Sequence, residues 1–167
     1  MKKLVLILIV ALAPALANAQ NSAVEKLFKK YGGQDGFTTV TINSGLLKMA
    51  AEFTDEEDGM EVLNSINSIK ILAQEGGESS NFYDEVKSLL KSNSYEELMT
   101  VNSDDEDVVF LVKKDGKTIT ELLLVVGGDD ENAVIYIAGN MNMKDLAKIG
   151  KSINVHDDAF AHLSELK

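Results

Sequence analysis

The 167-residue chain contains no cysteine, and this absence limits what can hold its fold together. Without thiols it has neither a disulfide nor a thiolate ligand for a structural metal ion, so apolar burial and hydrogen bonding must stabilise it. Its single proline is Pro14. Beyond that position, therefore, no prolyl isomerisation slows folding.

Arginine is absent too, and sixteen lysines face twenty-seven acidic residues, for a formal net charge of −11 at pH 7. Surfaces that bind DNA or RNA need clustered basic side chains, and base recognition favours the bidentate arginine guanidinium. The composition therefore argues against a nucleic-acid partner. The same excess of negative charge repels anionic membranes and favours solubility.

The first nineteen residues have the three parts of a cleavable secretory signal peptide. Lys2 and Lys3 form a basic start, an apolar run covers 4–12, and Ala-Asn-Ala at 17–19 matches the small-x-small cleavage pattern. The apolar run is about half of the roughly 20 residues that a membrane-spanning helix needs, although an uncleaved anchor is the alternative. We expect cleavage before Gln20, which gives a periplasmic or secreted protein without stable membrane insertion.

Cleavage would leave residues 20–167, a length that suits one domain, with fourteen lysines and a formal charge of −13. Hydrophobic periodicity predicts an α+β fold, in which helices pack on a mostly antiparallel sheet in the order α β α α β α β β β β α α. A C-terminal four-stranded meander is predicted from strand-like runs near 97–102, 107–114, 117–126 and 133–139. The final helix is expected over 155–166.

The sharpest local prediction concerns the hairpin that Asp-Gly joins at 115–116. A two-residue turn there would place Lys114 opposite Lys117 and Val112 opposite Ile119. One face of the hairpin would then be apolar through Val108, Phe110, Val112, Ile119, Leu123 and Val125, with Glu121 as its one interruption. The other face would carry Val109, Leu111, Leu122 and Leu124. Two apolar faces predict a hairpin in the interior of the sheet.

No set of residues matches a known catalytic pattern. Ser79, in GESSN at 77–81, lies between a predicted strand and a predicted helix like a hydrolase nucleophile, but Asn81 stands where the GxSxG pattern has its second glycine. His156 and His162 are six positions apart, so they fall on different faces of a helix and do not match HExxH. We therefore predict a protein that is not an enzyme and has no cofactor, with a Ser79 hydrolase as the alternative.

One acidic group could hold a cation. Successive turns of a meander alternate between the two ends of the sheet, so the turns at 103–107 and 127–132 should emerge together. They carry Asp104, Asp105, Glu106, Asp107, Asp129, Asp130 and Glu131. Carboxylate oxygens suit a hard divalent cation, but charged turns also keep sheet ends soluble and block edge association. We expect no metal site, and a cation site at these seven residues is the alternative.

Three segments resemble one family of exported proteins. They are LFKKYGGQDGFTTVTI at 27–42, SIKILAQE at 68–75, and the long stretch at 108–149 that begins VVFLVKKDGKTITELLLVV. Together they resemble the Bacteroidetes exported proteins grouped as domain of unknown function 4252. The resemblance implies a small envelope protein, without a reaction or catalytic residues to carry over, and it makes envelope stress signalling a hypothesis. Some members look like lipoproteins, whereas this chain has no cysteine to carry a lipid.

The function expected from the sequence is a non-catalytic envelope domain that binds an envelope protein or a small ligand. A hydrolase, a divalent-cation-binding protein and a purely structural protein are the alternatives.

Overall fold

The computed structural model describes residues 23–54, 57–75, 82–91, 95–102, 106–128 and 131–152. The helices in these ranges are α1 (Ala23–Tyr31), α2 (Ser44–Glu52), α3 (Glu57–Ser65), α4 (Phe82–Lys91) and α5 (Met143–Ser152). The strands are β1 (Phe37–Asn43), β2 (Ile66–Glu75), β3 (Glu96–Asn102), β4 (Glu106–Asp115), β5 (Thr118–Gly128) and β6 (Glu131–Met141). This is the predicted α+β fold. The helix expected over 155–166 lies outside the described residues.

The six strands form one sheet in the order β1-β2-β6-β5-β4-β3, and every neighbouring pair is antiparallel. Strands β3 to β6 make the predicted meander. The sheet continues past it because β6 also pairs with β2, which brings the β1–β2 pair from the first half of the chain alongside. Strands β4 and β5 are interior, as their two apolar faces predict, and β1 and β3 are the edges.

Helices cover both faces of the sheet. On the first face, α1 and α4 pack over a core of strand residues, chiefly Leu72, Val109, Leu111, Leu123, Val125 and Val134. On the second face, α2, α3 and α5 contribute Leu47, Val62, Leu146 and Ile149 to a core with Val108, Phe110, Val112, Ile119, Leu122 and Leu124. Burial on both sides explains the continuous apolar runs at 108–112 of β4 and 122–126 of β5.

The predicted register of the β4–β5 hairpin is wrong. Asp115 pairs with Thr118, so Gly116 and Lys117 form the turn, and Gly116 has the positive φ of 60° that glycine tolerates best. Lys114 then pairs with Ile119 rather than with Lys117, and the register shifts by one residue between Ile119 and Glu121. The hydroxyl of Thr120 donates to the carbonyl of Lys113 (3.2 Å) at this bulge.

The bulge at Thr120 also places the side chains of β5 on other faces of the sheet than predicted. Because one extra residue reverses the alternation of side chains, Leu122 and Leu124 join Ile119 on the second face. Leu123 and Val125 lie on the first face instead, and Val112 pairs with Leu122. Glu121 lies on the same face as Leu123 and Val125, so it is a charged residue within the apolar first face and not within the second.

Two helix boundaries depend on short polar contacts. The N-cap of α2 is Asn43, whose side-chain oxygen accepts from the N–H of Leu46 (3.1 Å). Ser44 is the first residue of the helix. At the start of α5, Asn142 Oδ1 accepts from the N–H of Lys144 (2.8 Å), and Asp145 Oδ2 accepts from the N–H of Asn142 (2.8 Å).

Candidate functional site

The sheet brings together the strand ends that flank the two acidic turns. Glu106 pairs with Gly128 and Asp107 with Gly127, so the connections before β4 and after β5 leave the same end of the sheet. Asp104, Asp105, Asp129 and Asp130 lie outside the described residues, so the cation alternative stays a prediction. Among the residues that are described, no three His, Cys, Asp or Glu side chains could together hold a metal ion.

The residues considered as catalytic candidates in the sequence are not part of these acidic turns. Ser79, His156 and His162 all lie outside the described residues. In the loop between α1 and β1, Gly32 follows the helix, and Gly33 and Gly36 have positive φ values of 85° and 80°. These values shape the turn, because left-handed backbone is easiest for glycine.

A polar cluster within the first face is the strongest chemical feature that the sequence did not single out. We call Tyr95, Lys113, Glu121 and Tyr136 the tyrosine–glutamate cluster. The bulge at Thr120 turns Glu121 into this otherwise apolar face, where its side chain is only 15% exposed. The hydroxyl of Tyr95 donates to Glu121 Oε2, and Lys113 Nζ lies 3.4 Å from Oε1. The buried carboxylate is therefore paired and hydrogen-bonded.

Both phenols of the cluster are held in their protonated form. Burial, and then the hydrogen bond to Glu121, raise the pKa of Tyr95 well above its ordinary value. Burial, and then the negative charge of Glu121, raise the pKa of Tyr136 to about 12. A general acid or base works best when its pKa is near the working pH. At neutral pH the Tyr95 hydroxyl donates to the Glu121 carboxylate, which links the residue before β3 to β5.

A second feature is an exposed apolar stripe on α2. Leu47 and Ala51, four positions apart, are buried against the second face of the sheet. Leu46, Met49 and Phe53 lie on another side of the helix and are 55%, 57% and 82% exposed. We call these three residues the α2 surface. Phe53 follows the last helical residue, and its N–H still donates to the Ala50 carbonyl (3.2 Å), so it continues the helical spacing.

Most of the exposed large apolar side chains are in or near this stripe. The most exposed large apolar side chains of the described residues are Val40, Leu46, Met49, Phe53, Met60 and Met143. All but Met143 lie in β1, α2 or α3 or, in the case of Phe53, directly after α2, and α2 packs directly against α3. Scattered apolar residues are ordinary on a soluble surface, whereas a cluster of them marks an interaction site. The α2 surface is therefore the candidate functional site.

Sequence periodicity could not have identified this site. Apolar residues cover about half of the circumference of α2, at Leu46, Leu47, Met49, Ala50 and Ala51, so the pattern alone does not tell which part of this arc meets the sheet. Only the burial of Leu47 in the second core shows which side of α2 faces the sheet.

The fold and its surfaces define the class of this protein as an α+β domain with helices on both faces of an antiparallel sheet. None of its described helices is both long enough and apolar enough to cross a membrane. The family model for the domain of unknown function DUF4252 matches residues 31–149, so the chain belongs to that family, as the resemblance indicated. No curated protein and no solved structure matches the chain.

Proposed function

We propose that this protein is an exported, non-catalytic domain of the cell envelope that acts by binding a protein partner, with envelope stress signalling as the process it serves. The signal-peptide pattern at 1–19 supports the location outside the cytoplasm. The tyrosine–glutamate cluster supports a non-catalytic role, because its hydroxyls are protonated and its carboxylate is already paired.

The observation that carries the proposal is the exposure of Phe53 at 82%, beside Leu46 and Met49. Each large apolar side chain left in water forgoes roughly 1.5–3 kcal/mol of burial, so three on one stripe represent a substantial stabilisation that a partner could supply. A protein partner fits better than a small ligand, because the stripe is an open helix face. Small-molecule sites are concave.

Pull-down from envelope extract of the native organism tests the proposal when two variants are compared. Met49→Ser combined with Phe53→Ser removes most of the α2 surface. Met143→Ser removes a side chain that is also exposed, at 40%, but lies on α5. We expect proteins that co-purify with the wild type and with Met143→Ser but not with the double variant. Identical recovery with all three proteins would refute the proposed function.

A further inference from the structure

We propose that two copies of this chain pair through β1, so that their sheets join into one continuous sheet across a twofold axis. This inference goes beyond the proposed function and does not rest on it. Its grounds are the exposure of β1, the lack of charge along it, and the way the strand matches itself when it is turned end for end.

Strand β1 is an open edge of the sheet. Among the described strands it pairs with β2 alone. The four consecutive residues from Thr38 to Thr41 are all exposed. Because successive side chains of a strand point to opposite faces, described elements cover neither face of β1 at these positions. An open edge presents a row of N–H and C=O groups, and the partner that satisfies such a row is another strand.

Strand β1 lacks the features that keep sheet edges from pairing. Its sequence FTTVTIN has no charged residue and no proline, and its register with β2 runs without a bulge. The longer stretch at 32–47 contains one charged residue, Asp35, although 26% of the whole chain is charged. The opposite edge, β3, carries Glu96 and Glu97 and has a bulge between Glu97 and Met99. Of the two edges, β1 is therefore the one suited to pairing.

The main chain of β1 has groups directed outward for this pairing. The N–H of Phe37 donates to the carbonyl of Gln34 (3.1 Å), so it points away from β2. In an antiparallel ladder the main-chain groups of successive residues alternate between the two sides of the strand. The N–H and C=O groups of Thr39 and Thr41 therefore also point away from β2.

The strand is complementary to itself in the register that pairs all seven of its residues. Antiparallel pairing centred on Val40 places Thr39 opposite Thr41 of the second copy, and Val40 opposite Val40. The outward groups of Thr39 and Thr41 then face each other and can exchange about four hydrogen bonds across the axis. Facing threonines also stabilise a strand pair. A shift of one residue would instead place outward groups opposite inward ones.

The surroundings of β1 are compatible with a second copy. The axis stands perpendicular to the sheet, so each face continues into the same face of the other copy. Because α2 contacts both β1 and β2, the two α2 helices would lie on the order of 10 Å apart, the usual spacing of packed helices. Lys70 is the one charged residue of β2 that pairs with β1, and it forms an ion pair with Glu25. The net charge of −11 therefore opposes the pairing only from a distance, where salt screens it.

A cysteine on the axis tests the register directly, because the chain has no cysteine of its own. Val40→Cys would place two thiols on residues whose Cα atoms are about 4.5 Å apart, within the range of a disulfide. Thr38→Cys is the matched control on the same face of the same strand, but its two copies would lie roughly 14 Å apart. The purified variants are oxidised with diamide and separated on a non-reducing gel. We expect a covalent dimer of Val40→Cys and a monomer of Thr38→Cys, whereas equal crosslinking of both, or of neither, would overturn the inference.

Charge substitutions at the same position test the pairing without a covalent bond. Val40 is 41% exposed, so the fold should tolerate them. In Val40→Lys two like charges face each other across the axis, and analytical ultracentrifugation should show a dimer Kd at least about tenfold higher than that of the wild type. Thr118→Lys, at an exposed position of β5, changes the net charge equally and should leave the Kd unchanged.

A mixture of Val40→Lys with Val40→Glu should restore the dimer, because lysine then faces glutamate. The inference is wrong if the wild type sediments as a monomer at every concentration, if Thr118→Lys weakens the dimer as much as Val40→Lys does, or if the mixture stays monomeric.

The dimer and the proposed function fail separately. The pull-down compares variants at Met49 and Phe53, which leave β1 unchanged. If position 40 does not crosslink but the envelope partner depends on Phe53, the pairing is wrong and the binding function stands.

Discussion

The hydroxyl of Tyr95 donates a hydrogen bond to Oε2 of Glu121, and this contact links the residue before β3 to a strand two places away in the sheet. Tyr95 is 7% exposed, so the bond lies within the first core. It forms because the bulge at Thr120 turns Glu121 toward the face that Tyr95 enters. The tyrosine–glutamate cluster therefore depends on the bulged register of β4 and β5, and variants of the cluster test that register.

Tyr95→Phe should lower the free energy of unfolding by about 1–3 kcal/mol, because a buried carboxylate loses a hydrogen-bond donor. Urea denaturation followed by circular dichroism measures the loss. Tyr83→Phe is the matched control. Among the described residues, the Tyr83 hydroxyl accepts one long bond of 3.4 Å, from Lys87, so its removal should cost less than about 0.5 kcal/mol. Equal losses in the two variants would show that the Tyr95 bond does not stabilise the fold.

Tyr136 should make the protein sensitive to alkali. Its pKa is raised to about 12 in the folded state, from an ordinary value of 10.0. Between these values the unfolded chain releases the phenolic proton and the folded chain keeps it, so stability is full below about pH 10 and falls as pH rises toward about 12. Tyr136→Phe should reduce that fall. Denaturation at about pH 9 and about pH 11 checks this, since the lysines contribute equally to both proteins.

Gly127→Ala should destabilise the packing of α4 on the first face. An added Cβ would lie 2.5 Å from Cγ and 2.9 Å from Cβ of Tyr83, too near the α4 backbone for the ring to swing away. We expect a loss of about 1–3 kcal/mol, measured by thermal or urea denaturation.

Tyr83→Ala supplies the control for this clash. In the double variant the two losses should be less than additive, because removing the ring removes the obstacle. If the losses of the two single variants simply add, the destabilisation by Gly127→Ala does not come from a clash with the Tyr83 ring.

Phe53→Ser should leave stability within about 0.5 kcal/mol of the wild type, because the side chain is 82% exposed. Leu47→Ser in the same helix should cost at least about 2 kcal/mol, since Leu47 is 4% exposed and belongs to the second core. Urea denaturation of both variants measures the contrast. A loss above about 1 kcal/mol for Phe53→Ser would mean that Phe53 packs in the folded protein and is not free for a partner.

Much of the fold follows from periodicity that can be counted in the sequence. Alternating and continuous apolar runs predicted strands β3 to β6. The hairpin register did not follow, because the bulge at Thr120 depends on which residues pair across β4 and β5. A single extra residue inverts every side chain beyond it, so one local error exchanged Leu122 and Leu124 with Leu123 and Val125.

The candidate functional site was harder to predict from the sequence than the fold, because it depends more on tertiary structure. Glu121 stood out in the sequence as a charge within an apolar strand, but its partner Tyr95 precedes β3 and has no pattern of its own. The α2 surface is hidden in the sequence, because the apolar residues of α2 cover about half of its circumference and the pattern does not show which part of that arc faces the sheet. Its exposed side is known only once Leu47 and Ala51 are seen to face the sheet.

Site-specific photo-crosslinking in cells of the native organism tests the central claim most directly. A benzophenone amino acid replaces Phe53 in one version of the protein and Met143 in another, and covalent adducts are compared after illumination. The account predicts a discrete adduct with an envelope protein from position 53, and none from position 143. No adduct at 53, or the same adducts from both positions, would contradict the claim that the α2 surface binds a partner.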